Sequence, residues 1–266
     1  MFGKWLCLAA LALCSALPAH AGEFDDVVHG TVRPGWRLPN GDHMAALHLQ
    51  LAPGWKTYWR APGEGGIPPE FNWSGSRNLA AVAINWPTPE VFDQAGMRSI
   101  GYENELVLPI RITPRSARTI DLRGEMTLGL CKDICLPHTL SFRAQLPSDT
   151  TRPDPVIAAS LANVPYTEDE AGVRGVSCDL RPSQDGLTLT ARVQMPSTGT
   201  REHVVIETAN PMIWVQETTT RRKGRELHAV TTLMHMEGKP FAVDRTRLTL
   251  TVIGRKYAVE IQGCGR

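Results

Sequence analysis

The chain has 266 residues, with 28 Lys+Arg against 27 Asp+Glu and a formal net charge of +1 at pH 7. So even a balance gives no reason to expect nucleic acid or an anionic membrane as partner. Six cysteines are present, and their placement carries most of the functional information.

Residues 1–21 read as a secretory signal peptide. Lys4 opens it, Trp5 to Leu17 is apolar, and Pro18-Ala19-His20-Ala21 offers an Ala-x-Ala cleavage site. The apolar run is shorter than the roughly 20 residues a bilayer span needs. Anchoring through Cys14 as a lipoprotein is disfavoured by the bulky Leu13 before it. Cleavage leaves about 245 residues, room for two ordinary domains. It also leaves four cysteines, Cys131, Cys135, Cys178 and Cys264, in an oxidising compartment.

From Met44, Leu47, Leu49 and Leu51 alternate with Ala46, His48 and Gln50, the pattern of a half-buried strand. Pro53-Gly54 turns the chain, Trp55 to Trp59 begins a short strand, and Ala61 to Pro69 is loop. Strands are expected at Ala80–Trp86, Glu105–Thr113, Thr119–Leu122, Glu125–Leu130 and Thr139–Leu146, with Pro87 to Tyr102 as a longer connection. A helix is expected over Arg152 to Asn163, with Pro153 and Pro155 at its start and Pro165 beyond its end. Strands resume at Arg174–Leu180, Leu187–Val193, His203–Glu207, Ile213–Gln216, Glu226–Leu233, Arg247–Ile253 and Lys256–Ile261. Ser183-Gln184-Asp185-Gly186 is a hairpin signal between the first two. The expected fold is all-β: two β-sandwiches in series, residues 22–150 and 171–266, joined by a helix-containing linker at 151–170.

Cys131 and Cys135 flank Lys132-Asp133-Ile134, which reads as a three-residue hairpin connection. As cross-strand neighbours their Cα atoms would lie roughly 4.5–5.5 Å apart, within the roughly 4.4–6.8 Å that a disulfide tolerates. Three pairings of the four cysteines are possible. One pair per domain joins Cys131 to Cys135 and Cys178 to Cys264. The second closure is worth roughly 4–5 kcal/mol and the first about 2 kcal/mol, so only the second is an effective staple. Three readings of the short pair stay open on its chemistry. It is a redox couple, a hairpin clip, or, with His138 in a C-x3-C-x2-H cluster, a Cu(I) or Zn ligand set; as a clip or Cu(I) ligand set it would belong to a non-catalytic binding or assembly module, for instance in copper handling. Lys132 would favour a neighbouring thiolate and Asp133 would oppose it. No cofactor motif, phosphate loop or Ser-His-Asp spacing stands out. Trp55, Tyr58, Trp59, Trp73 and Trp86 are expected in the core rather than in a ligand groove. Glu103 and Glu105 read as surface carboxylates, and Arg221-Arg222-Lys223-Gly224-Arg225 as a solvated hairpin tip.

Several motifs occur in order: Gly54-Trp55-Lys56-Thr57-Tyr58-Trp59, Pro62-Gly63-Glu64-Gly65-Gly66-Ile67-Pro68-Pro69, Trp86-Pro87, Gly101-Tyr102, and the Cys131/Cys135 pair with Leu136-Pro137. Together they resemble the amino-terminal domain of the DsbD thiol:disulfide interchange proteins, over about residues 25–150. The two-domain layout is similar to the extended amino-terminal region of the related ScsB proteins. The resemblance implies an immunoglobulin-like sandwich in the bacterial periplasm, exchanging dithiol for disulfide through Cys131 and Cys135. It implies Cys135 as the sulfur that forms mixed disulfides, and periplasmic thioredoxin-like or disulfide-isomerase-like proteins as partners. The family shields its pair with an aromatic cap loop; the corresponding region, Ala95 to Ile100, offers Met97 and Ile100. The family's membrane and thioredoxin domains do not occur within these 266 residues, so a separate membrane protein is expected as electron donor.

Overall fold

The computed structural model describes residues 26–94 and 96–265. The expected signal peptide and Ala95 of the cap region lie outside the described residues. The first ten strands are β1 (Val28–Arg37), β2 (His43–Leu51), β3 (Lys56–Tyr58), β4 (Glu70–Asn72), β5 (Leu79–Ile84), β6 (Glu90–Gln94), β7 (Met97–Glu103), β8 (Glu105–Pro114), β9 (Ile120–Cys131) and β10 (Cys135–Leu146). They form two sheets, ordered β1-β2-β8-β5 and β10-β9-β3-β7-β6, with β4 beside β9. Leu47, Leu49, Leu106 and Leu108 of one sheet meet Met126, Leu128, Leu130 and Tyr102 of the other. Each fully buried leucine contributes about 1.5–3 kcal/mol.

Helix α1 (Pro155–Ala162) follows. Asp154 caps it by accepting from the Val156 and Ile157 N–H groups, and its carboxylate also pairs with Arg33 at 2.8 Å. The helix lies on the outer face of the first sheet. Ile157 packs there with Trp36, Met44 and Ala46, and Ser160 Oγ donates to the Val107 carbonyl at 2.7 Å.

The remaining strands are β11 (Tyr166–Thr167), β12 (Gly175–Ser183), β13 (Gly186–Gln194), β14 (His203–Glu207), β15 (Ile213–Val215), β16 (Thr219–Lys223), β17 (Glu226–His235), β18 (Thr249–Ile253) and β19 (Ala258–Gln262). Their sheets are ordered β11-β19-β18-β14 and β12-β13-β17-β15, with β16 also on β17. Leu189, Val193 and Leu227 face Val204, Leu250, Val252 and Val259 across this second core. The fold is all-β and immunoglobulin-like in both halves.

Four expectations need correction. Pro87 to Tyr102 is not a plain connection, because β6 and β7 pair as a hairpin from Glu90↔Gly101 to Gln94↔Met97. The two strands expected at Thr119–Leu122 and Glu125–Leu130 are one, β9 (Ile120–Cys131), since Gly124 keeps its register opposite Phe142 without a break. Ala46 does not face solvent, because α1 covers it. Thr219–Lys223 is a strand arm, with Lys223 opposite Glu226. Its Arg222 is not solvated but ion-paired with Glu202.

Candidate functional site

The longest hairpin of the first sandwich, β9 and β10, ends at the short cysteine pair. Cys131 is the last residue of β9 and Cys135 the first of β10, and the register places them opposite each other. Their Cα atoms are 4.1 Å apart and their sulfurs are joined, slightly closer than the roughly 4.5 Å of an ordinary non-hydrogen-bonded strand pair. Lys132, Asp133 and Ile134 form the connecting loop, closed by a bond from the Lys132 N–H to the Ile134 carbonyl at 3.1 Å. The two cysteines differ in exposure. Cys131 is 5% exposed, whereas Cys135 is exposed beside Ile134, itself 61% exposed.

Antiparallel register fixes which residues share the cystine's face. Thr127/Thr139, Gly129/Pro137 and Cys131/Cys135 are opposed pairs on one face, and Leu128/His138 and Leu130/Leu136 on the other. His138 therefore lies on the opposite face of β10 from Cys135. The alternative Cys131, Cys135, His138 ligand set is not brought together, because three residues along a strand reverse the side chain's direction. Among the described residues no group of three or more His, Cys, Asp or Glu side chains is placed to hold a metal ion.

β3 lies on the other side of β9, pairing Lys56 with Cys131 and Thr57 with Leu130. This register brings two residues to the cystine that sequence reasoning had not singled out for chemistry. Lys56 is Cys131's neighbour, with its ammonium 4.7 Å from the centroid of the Phe92 ring on β6. Tyr58 reaches Cys135, its hydroxyl 3.1 Å from Sγ. The same hydroxyl lies 3.3 Å from the Gly65 carbonyl. The ring is 2% exposed and rests on Gly129, where a Cβ would come within 2.6 Å of its Cδ2 and Cε2 atoms. Gly129 is therefore required by close approach, not by backbone angle. Burial pushes the Tyr58 hydroxyl above the usual tyrosine range, so it remains a proton donor at neutral pH.

Lys132, the cation picked out by sequence, donates from Nζ to the Pro53 carbonyl at 3.3 Å. Met97 of the cap hairpin is 58% exposed, and it stands beside Gly65, whose Cβ would lie 3.6 Å from its own. The other cystine is remote in character. Cys178 on β12 joins Cys264 after β19, with Cα atoms 5.6 Å apart and both residues buried.

Chemically, this is an immunoglobulin-like domain that presents a cystine at a strand hairpin, one of its cysteines exposed and its sulfur touched by a tyrosine hydroxyl. Residues 30–147 match the family model described as thiol:disulfide interchange protein DsbD, N-terminal. Residues 30–147 thus form a domain of the DsbD amino-terminal family, a thiol:disulfide interchange module. Among solved structures, it is similar to the N-terminal periplasmic domain of ScsB from Proteus mirabilis. Identity is 29%, with 90% of this chain and 93% of that one covered, at a TM-score of 0.67. A search of the curated proteins returned no match.

Proposed function

We propose that the chain is a periplasmic carrier of reducing equivalents, exported by a signal peptide at residues 1–21, with Cys131 and Cys135 as its redox couple. The carrier domain would span residues 22–150, followed by a helical linker at 151–170 and a second domain at 171–266. The observation that carries this reading is the asymmetry of the cystine, Cys135 exposed and Cys131 buried. Only an accessible sulfur can be attacked in line by an incoming thiolate. The solved ScsB domain is described as periplasmic, which supports the compartment.

In the loading half, a thiolate of a reduced dithiol on a membrane protein attacks Cys135 Sγ. The Cys131–Cys135 bond breaks, and Cys131 leaves as thiolate. The donor's second thiol then attacks its own sulfur in the mixed disulfide, forming the donor disulfide and releasing Cys135. Two electrons and two protons have been transferred. In the unloading half, the Cys135 thiolate attacks the disulfide of a thioredoxin-like or isomerase-like partner. Cys131 then resolves the adduct by attacking Cys135 Sγ, which restores the cystine and frees the partner as dithiol. Tyr58 acts on the sulfur that changes charge in both halves. Its hydroxyl donates to the Cys135 thiolate, favouring that sulfur's departure from a mixed disulfide.

Trapping tests the assignment. Cys131→Ser removes the resolving thiol and is expected to accumulate a covalent adduct with a periplasmic thioredoxin-like protein on a non-reducing gel. Cys135→Ser is expected to give none. The reverse pattern would exchange the roles. Absence of adduct from both, with a cystine inert to mild reductant, would leave it a hairpin clip.

A further inference from the structure

The second sandwich touches the loop that lies over the cystine's tyrosine. Loop 61–66 leaves β3 and folds against β7. The Ile100 N–H donates to the Pro62 carbonyl at 2.9 Å, and the Gly66 N–H to the Gly63 carbonyl at 3.3 Å. Gly63 has φ +80°, and a Cβ there would come within 2.7 Å of the Arg98 carbonyl, so the loop sits flush on that strand. Its tip is held from the other half of the molecule. The backbone N–H of Glu217, between β15 and β16, donates to Glu64 Oε1 at 3.1 Å. The Glu217 carboxylate pairs with Arg98 at 2.5 Å. At the loop's root, Arg60 binds Glu207 and Glu260 at 2.9 and 2.6 Å.

Between these points the loop and residues 203–218 are the walls of a cleft of about 430 Å³. The loop tip is thus held by polar contacts, while at the loop's root Ala61 and Val205 pack against an apolar cluster that includes Ile100, Ile253 and Ala258. Gly65, next to Glu64, carries the carbonyl that competes for the Tyr58 hydroxyl. That hydroxyl has one hydrogen and two acceptors, the Gly65 oxygen and Cys135 Sγ.

We propose that the second domain is a positioning element for the exchange site: through Glu217 and Glu64 it holds Gly65 against Tyr58 and so sets how that single hydrogen is shared with Cys135. Glu64 and Glu217 are positioning residues that act through Tyr58. The idea rests on the redox reading of the Cys131/Cys135 pair. Releasing the loop withdraws the competing carbonyl and leaves the hydroxyl to the Cys135 thiolate, which stabilises that thiolate.

The test uses the full chain carrying Cys131→Ser, so that Cys135 is the free thiol while Cys178 and Cys264 stay joined. Iodoacetamide capture at pH 7 reads the thiolate fraction. Glu64→Ala is expected to speed capture about threefold and to lower the pH midpoint of its rate profile. Glu64→Gln keeps an acceptor oxygen for the Glu217 N–H and is expected to behave like the parent. In a Tyr58→Phe background, Glu64→Ala is expected to change nothing. An unchanged or slower rate in Glu64→Ala overturns the proposal, as does the same gain without the Tyr58 hydroxyl. A parallel assay follows exchange of the cysteine-intact chain with an oxidised thioredoxin-like protein. No exchange in any variant overturns the redox reading itself, whereas equal exchange in all overturns only the positioning role.

Discussion

The two cystines differ in every property that separates a staple from an exchangeable bond. Cys178 and Cys264 lie 86 residues apart in sequence and are 6% and 7% exposed. Their backbones are tied into the fold: the Cys264 N–H donates to the Arg245 carbonyl at 2.8 Å, and the Arg245 guanidinium to the Cys178 carbonyl at 3.1 Å. Cys131 and Cys135 lie 4 residues apart, with Cys135 an exposed residue and a hydroxyl oxygen 3.1 Å from its sulfur. A long loop removes much entropy from the unfolded chain, and burial blocks attack; a short loop removes little, and exposure invites attack. The contrast teaches that loop length and access vary together here, in the sense expected if stability is assigned to one pair and chemistry to the other.

The largest expected effect comes from breaking the staple. Cys178→Ala with Cys264→Ala is expected to lose about 4–5 kcal/mol of stability, against about 2 kcal/mol or less for Cys131→Ser with Cys135→Ser. Denaturant melts of the two double variants measure the difference. Equal losses would collapse the comparison. A loss larger for the short pair would make it the structural clip.

The short pairing was readable from local spacing, and Cys178–Cys264 followed only from assigning one pair to each domain, which the structure bears out. Leu128, Leu130 and Leu140 alternate around a three-residue loop, and that pattern alone aligned Cys131 with Cys135. The hairpin of β6 and β7 was illegible for a physical reason: Pro87, Pro89, Gly96 and Gly101 punctuate it, and Gly101 sits in close approach to the Thr57 and Tyr58 backbone. β1 was hidden similarly, since Pro34-Gly35 interrupts its pattern where the register shifts between Arg33 and Trp36. In the site, the cysteines were legible and their partners were not. Tyr58 and Lys56 reach the cystine only through the pairing of β3 with β9, a contact across more than 70 residues of chain that no local spacing encodes. Tyr58 does rank with the buried aromatics, as its sequence context suggested; what its sequence could not convey is where the hydroxyl points.

The next effect probes the surface beneath that tyrosine. Gly129→Ala puts a methyl where the Tyr58 ring and Ile67 Cβ already sit. Overpacking of this kind costs about 1–3 kcal/mol, and the ring must shift to relieve it. Thermal melts are expected to show the loss, and exchange at Cys135 should slow because the hydroxyl moves with the ring. A stable variant with unaltered exchange would mean that the precise seat of Tyr58 is unimportant. The staple supplies the control: Gly175→Ala, at the start of the strand carrying Cys178, has open space around its Cβ, and there stability and exchange should both hold.

The smallest effect on stability is the most informative about chemistry. Tyr58→Phe removes one hydroxyl and keeps the ring that Gly129 supports, so folding stability should change by no more than about 1 kcal/mol. The hydroxyl is a donor to the charged form of Cys135, and losing a donor to a thiolate raises the thiol's pKa. The sign follows. Between the parent's pKa and the variant's, the parent thiol is ionised and the variant's is not, so capture by iodoacetamide is slower in Tyr58→Phe at neutral pH. The rates converge at high pH, where both thiols are ionised. The rate profile of the Cys131→Ser chain, with and without Tyr58→Phe, measures the displacement directly. An upward shift of the midpoint with an unchanged plateau places the hydroxyl on the thiolate. A lowered plateau with no shift would instead mean that Tyr58 governs access to the sulfur, and coincident profiles would remove it from the exchange step altogether.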